Sequence, residues 1–253
     1  MLLLGRAVVL AYIGGMNAEV HGLEAFYARP LGRMAARLLR ARLAAAWPDL
    51  TGQSVLGIGY ANPYLGLWRG QAQRCLSVLP EGASPPVAWP LGGPFATMVA
   101  EEDRLPLPDL SVDRVLLVHG LEAAGNARRL LREVWRVLKD DGRLLVVVPN
   151  RRGLWAYQEG TPFGHGQPYS AGQLQRLLVR HLFRVERRDS ALFMLPYGGP
   201  LLRTARVWEG MGRALWPARF AGVAIVEAEK DVFSAMPSGA VAVRRRVVMP
   251  TAG

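Results

Sequence analysis

Apolar positions recur at helical spacing in residues 31–47, where Leu31, Met34, Ala35, Leu38 and Leu43 share one face and Pro48 ends the pattern. This predicts an amphipathic helix. The period then changes: SVLGIG at 54–59, RCLSVL at 74–79, DRVLLVH at 113–119 and RLLVVV at 143–148 are short runs, apolar on both faces, as expected of strands buried inside a parallel sheet. Residues 96–100 predict one more short element, and the stretch from 80 to 94, rich in Pro, Gly and Ala without a period, predicts loop. Asn126 stands where an N-cap belongs, and Leu130, Leu131, Val134, Val137 and Leu138 form the inner face of the helix that follows. That helix is predicted to run to Asp140-Asp141-Gly142, with Gly142 closing it in the left-handed conformation. Strands alternating with helices imply a doubly wound α/β fold with a mostly parallel sheet, whose ligands bind beyond the carboxyl ends of the strands where the strand order reverses. After Pro149 the pattern predicts a Gly- and aromatic-rich segment to Tyr169, a helix over 170–181, and strands at 221–228 and 240–248. No internal repeat is present.

Composition narrows the class. A chain of 253 residues, 51% apolar, suits one large domain: an N-terminal extension over 1–20, then a domain over 21–253 with its core at 50–150, a lid or acceptor-side segment at 150–170 and C-terminal strands at 180–250. Cys75 is the single cysteine, which excludes a disulfide framework and a multi-thiolate metal site and points to the cytoplasm. The net charge of +11 would suit a polyanion, yet Lys139 and Lys230 are the only lysines and the arginines are scattered. Arg33, Arg37 and Arg40, and Arg128, Arg129, Arg132 and Arg136, repeat at helical spacing and read as solvated helix faces, so nucleic acid is not the expected partner. An RNA-binding module would need its arginines gathered around the cleft. The apolar run MLLLGRAVVLAYIGG is interrupted by Arg6 and too short to span a bilayer, so no membrane span is expected.

Two segments carry more specific chemistry. EEDRLPLPDLSVDRVLLVHGLE and, in order after it, LLREVWRVLKDDGRLLVVVPN resemble the class I S-adenosylmethionine-dependent methyltransferases of the type 11 group, and PYSAGQLQRLL extends the similarity over most of 54–187. The resemblance implies a seven-stranded Rossmann-like sheet, S-adenosyl-L-methionine as cofactor, and methyl transfer to a small-molecule or protein acceptor. Such a displacement requires donor and acceptor to be held in register. The family's first loop is glycine-rich and opens on an acidic residue. Here the loop reads VLGIGYANPYL: Gly57 replaces the acid, Gly59 matches the first glycine, and Ala61 and Pro63 replace others. Tyr60, Asn62 and Tyr64 are candidates to cradle the donor instead. The ribose carboxylate expected at the end of the second strand falls on Leu79, with Glu81 two residues on, and the adenine-side acid falls on Glu101 or Glu102. An eroded loop leaves a second reading open, a catalytically silent methyltransferase fold that binds and regulates a protein partner.

His119 lies at the carboxyl edge of the predicted fourth strand, where a histidine could take a proton from an acceptor, and Glu122 follows closely. The alternative is a satisfied histidine lining the cleft. Within 150–170, Arg152, Trp155, Tyr157 and His165 suit either an acceptor lid or a protein interface. Asn62-Pro63-Tyr64 reads as turn chemistry. No Cys/His spacing supports a metal, and no Gly-x-Ser-x-Gly elbow supports a hydrolase.

Overall fold

A computed structural model describes residues 22–80, 89–90 and 96–233. The predicted extension over 1–20 and the predicted strand at 240–248 lie outside the described residues. Residues 22–28 are helical and lead into α1 (Pro30–Ala46), which starts on proline, a residue whose missing N–H costs nothing at a helix start. Gly32 lets α1 fold back on that segment, since a Cβ there would sit 2.0 Å from the Phe26 carbonyl oxygen. Tyr27 is thereby directed into the interior, where it is buried.

Seven strands follow: β1 (Ser54–Gly59), β2 (Arg74–Pro80), β3 (Thr97–Ala100), β4 (Val112–Val118), β5 (Leu138–Pro149), β6 (Phe183–Ala191) and β7 (Val223–Lys230). They form one sheet in the order β3-β2-β1-β4-β5-β7-β6. β7 runs against both of its neighbours, and the other strands share one direction. The seven-stranded, mostly parallel sheet implied by the resemblance is present. Its strand order reverses between β1 and β4, which opens a crevice beyond their carboxyl ends. Beyond the helical segment at 22–28, the described residues hold α1, the four-residue α2 (Asn62–Leu65), α3 (Ala127–Val137), α4 (Ala171–Arg180) and α5 (Ala205–Leu215). The Asn126 side chain caps α3 by accepting from the Arg129 N–H, and Ser170 with Gln173 forms a reciprocal capping box on α4.

Three expectations are corrected. The helix α3 ends at Val137 rather than near Gly142, because Leu138 is already extended and pairs with Val112 in the sheet. Gly142 is not among the left-handed residues; it lies inside β5, where a Cβ would meet the Lys139 carbonyl oxygen at 2.7 Å and the Leu138 side chain at 2.9 Å. Arg136 is no solvated residue either: its guanidinium bonds Glu133 and Asp109 and the carbonyls of Leu105 and Leu107, and Glu133 accepts from the Leu105 N–H. The pair thus pins the LPLPD loop below the crevice to α3. Strand β6 and helix α5 were not anticipated, because FRVERRDSA at the sheet edge has the composition of a charged surface and α5 keeps only three residues turned inward.

Truncating Arg136 to methionine takes the guanidinium donors from the Leu105 and Leu107 carbonyls and from Glu133, and we expect a loss of about 1–3 kcal/mol in urea denaturation. The bond from Arg136 also holds the Glu133 carboxyl below its ordinary value. A depressed folded pKa gives stability that is complete above the unfolded value and is lost as pH falls through the folded one. The urea midpoint should therefore fall from roughly pH 5 downward, and Glu133→Gln should flatten that dependence. An unchanged pH profile in the variant would count against the pin.

Candidate active site

At the end of β1 the chain turns under β4, and the Tyr60 N–H donates to the Val118 carbonyl at 2.7 Å. Gly59 makes the turn with φ of +77°, and a Cβ on it would stand 2.4 Å from the Val118 oxygen and 2.9 Å from the Gly120 Cα. Only glycine combines that backbone with so close an approach. Gly57 serves a different purpose: a Cβ there would meet the Ala61 Cβ at 2.7 Å and a Leu65 methyl at 2.8 Å. It packs α2 against β1 and does not line the crevice, so an acidic side chain at 57 would displace the helix.

The crevice is a cleft of about 380 Å³. Ile58, Gly59 and Tyr60 form one wall, Val78, Leu79 and Pro80 a second, and His119 and Gly120 a third. Its far end carries Glu101, Glu102 and Asp103. Glu102 is committed to accepting from the Asn126 N–H at 2.8 Å, and Asp103 pairs with Arg129 at 2.9 Å. The Glu101 carboxylate makes no hydrogen bond among the described residues. Leu79 offers no carboxylate at the end of β2, and Glu81 lies outside the described residues. Of the three residues expected to cradle a donor, Tyr60 lines the cleft; Asn62 accepts instead from the Ser77 hydroxyl, and Tyr64 is buried.

A second cavity of about 220 Å³ adjoins the first, lined by Phe26, Glu122, Thr161, Pro162 and His165. His119 borders both cavities. Its backbone is left-handed, with φ of +51°, a conformation uncommon outside glycine and frequent at functional sites. The His119 Nδ1 lies 3.0 Å from Glu122 Oε1 and the Nε2 lies 2.8 Å from the Tyr27 hydroxyl, which accepts from the Tyr64 hydroxyl at 3.0 Å. Burial pushes the Tyr27 phenol well above its ordinary pKa, so it stays protonated. A phenol that donates to Nε2 leaves a ring N–H on Nδ1, facing Glu122. Tyr60 stacks on Tyr27, with ring centroids 5.3 Å apart, and burial raises its own pKa to about 12.

Glu122 is buried, and its Oε2 has no hydrogen-bond partner among the described residues. The 150–170 segment closes over it. The Gln167 N–H donates to the Glu122 carbonyl at 2.9 Å, and Gly166, at φ of +71°, passes so close that a Cβ would lie 2.5 Å from the same oxygen. Trp155 is only 1% exposed and donates its indole N–H to the Met194 carbonyl, so it backs the wall through Phe163 and presents nothing to a docking partner. Arg152 and Tyr157 are exposed, and His165 stands at the rim of the smaller cavity with Nε2 2.7 Å from the Glu159 carbonyl oxygen. Sequence reasoning missed Tyr27. Its only signal is the aromatic pair in AFYA, within a helical segment too short to show a period.

Residues 55–146 match the family model of a methyltransferase domain. Two curated relatives from Mycobacterium tuberculosis strains, each named a probable S-adenosylmethionine-dependent methyltransferase, are 31% identical over 150 residues, 54% of this chain and 54% of theirs. The chain resembles this methyltransferase domain from β1 to β5. It spans about half the length of the curated relatives it matches. Solved structures extend the likeness of fold beyond that domain. A Thermotoga maritima S-adenosylmethionine-dependent methyltransferase, described as a possible histamine N-methyltransferase, is 18% identical, with a TM-score of 0.60 over 85% of this chain and 100% of that one. A Mesorhizobium loti S-adenosylmethionine-dependent methyltransferase is 15% identical, with a TM-score of 0.54 over 75% and 96%. The matched segment contains Gly59, Glu101, His119 and Glu122, and among the described residues no cluster of His, Cys, Asp or Glu could hold a metal. No described helix is long and apolar enough to cross a membrane.

Replacing Gly59 by alanine should cost about 1–3 kcal/mol, because the left-handed turn and the Val118 carbonyl both oppose a Cβ. Chemical denaturation would check this, and an unshifted midpoint would show that the turn can relax.

Proposed function

We propose that the chain is an S-adenosyl-L-methionine-dependent methyltransferase, with the donor in the larger cleft and the acceptor in the smaller cavity. One observation supports this most: a buried carboxylate oxygen, Glu122 Oε2, has no partner among the described residues and lies at a cavity that shares the His119 wall with the larger cleft.

The residues present fit the donor in several respects. A cleft of about 380 Å³ lies within the roughly 300–1,000 Å³ that small-molecule sites occupy. Gly59 brings bare backbone to its wall, Ile58, Val78 and Leu105 make it apolar, and Glu101 is free to accept from an exocyclic amine. The bound donor supplies an electrophilic methyl group on a sulfonium. What the protein adds is position and proton management. Glu122 Oε2 accepts the O–H or N–H of an acceptor, while Oε1 stays fixed by His119 Nδ1. His119 in turn is oriented by Tyr27, so its role is to position the carboxylate, and Glu122 takes the proton. Phe163, against His119 with ring centroids 4.9 Å apart, and Phe26 keep water from the pair. A catalytically silent, partner-binding protein is the competing reading, and Leu79, where the resemblance expects a ribose carboxylate, is what favours it.

Calorimetry with S-adenosylmethionine and S-adenosylhomocysteine decides between them: we expect binding of both, weakened roughly tenfold by Glu101→Ala through loss of one charged hydrogen bond. Absence of heat and of thermal stabilisation at high ligand concentration would sink the enzyme reading. Transfer of labelled methyl to cell-extract acceptors should fall about 10²- to 10⁴-fold in Glu122→Gln with donor affinity unchanged. Equal transfer by that variant would remove Glu122 from the chemistry.

A further inference from the structure

The chain between β6 and β7 leaves and returns at the sheet edge that carries the cleft, because β6 runs parallel to β5 and β7 runs against it. Its central helix, α5, turns only Ala205, Glu209 and Gly212 inward. The Glu209 carboxylate accepts the N–H groups of Leu192 and Phe193 and fastens the helix to the protein body. Gly212 allows the close seat, since a Cβ there would lie 2.4 Å from the Phe193 Cβ. The rest of the helix faces outward.

On that outer surface Val207, Trp208, Met211 and Leu215 fall within an arc of roughly 100°, and Leu215 is 70% exposed. Trp216 continues the stripe beside Trp208, with ring centroids 6.5 Å apart, and Phe220 extends it. A soluble monomer rarely leaves so many large apolar side chains together in water. Charge indicates what covers them. Glu209 is the only acid in residues 192–222, and it is buried and committed, while Arg203, Arg206 and Arg219 are exposed beside the stripe. The Arg219 guanidinium lies over the Phe220 ring, 5.0 Å from its centroid. A fourth arginine, Arg213, is held by Asp189. Trp, Phe and Leu on one stripe with unpaired arginines flanking it is the chemistry of a helix lying in the headgroup region of an anionic bilayer.

We propose that α5 and its flank, residues 203–220, dock on an anionic lipid surface. The apolar stripe enters the acyl boundary, the arginines meet lipid phosphates, and the cleft edge of the sheet stands beside the membrane. This inference is independent of the donor reading.

The full-length chain should float with vesicles of phosphatidylcholine mixed with phosphatidylglycerol at least about tenfold more than with phosphatidylcholine alone, and concentrated salt should reverse the difference. Trp208→Glu and Leu215→Glu, both at exposed positions, should each lower that partition roughly tenfold without moving the thermal midpoint or the affinity for S-adenosylhomocysteine. Arg206→Ala with Arg219→Ala should lower binding to anionic vesicles alone. Flotation of the wild type with neither vesicle, or variants that float as well as the wild type, would overturn the proposal. So would a dimer in sedimentation that Trp208→Glu dissolves, since the stripe would then be covered by a second copy of this chain.

Discussion

The crossing of β1 beneath β4 governs the site. Gly59 and Gly120 approach so closely that the Val118 carbonyl receives the Tyr60 N–H and leaves no room for a side chain at 59. Because β1 and β4 are the two strands between which the sheet order reverses, this contact sets the width of the crevice on one side and the start of the His119 turn on the other. His119 takes up its left-handed backbone one residue beyond β4 and so reaches back toward Tyr27 and Tyr60. The cleft and the Tyr27, His119, Glu122 chain are therefore one construction.

How that construction relates to the family's pattern follows from packing. The family's loop places an acid where this chain has Gly57, and α2 is reduced to one turn that lies directly on that glycine. The erosion visible in VLGIGYANPYL is thus compensated sterically: Ala61 and Leu65 fill the volume an acidic side chain would need, and Asn62 ties the short helix to Ser77 of β2. Tyr60, stacked on Tyr27, supplies an aromatic wall beside the surviving glycine. The loop has traded polar contacts for packing.

The central strands were legible because burial on both faces writes itself as continuous apolar runs, and the cap Asn126 was legible because capping needs particular side chains. Gly59, Glu101, His119 and Glu122 could be named because they lie at strand ends in an ordered motif. What escaped was set by tertiary approach. The stop of α3 at Val137 depends on Leu138 pairing with Val112, the role of Gly142 on the nearby Lys139 carbonyl, and the burial of Trp155 on an acceptor 39 residues away. Tyr27 escaped for the same reason, since its partner His119 is 92 residues distant. An edge strand such as β6, with FRVERRDSA, carries too few inward residues to announce itself.

Charge ties the two cavities to the rest of the surface. The chain holds thirty-one lysines and arginines against twenty acids, yet the cavities gather Glu101, Glu102, Asp103, Glu122 and Glu159 within a short distance of the His119 wall. Asp103 pairs with Arg129, Glu102 accepts a backbone N–H and Glu122 Oε1 lies against His119 Nδ1, while the Glu101 carboxylate and Glu122 Oε2 have no hydrogen-bond partner among the described residues. A low-dielectric cleft lined in this way favours a cation and disfavours a phosphate backbone, whatever the net charge of the molecule. Apart from Arg29 at the smaller cavity and Arg129, paired with Asp103, at the larger, the arginines that set the overall sign are consumed in structural pins, such as Arg136 on the LPLPD loop and Arg42 on Asp189, or lie on other surfaces, as on α5. Net charge and site charge therefore answer different questions in this protein: the first concerns the surfaces it meets, and the second the ligand it admits.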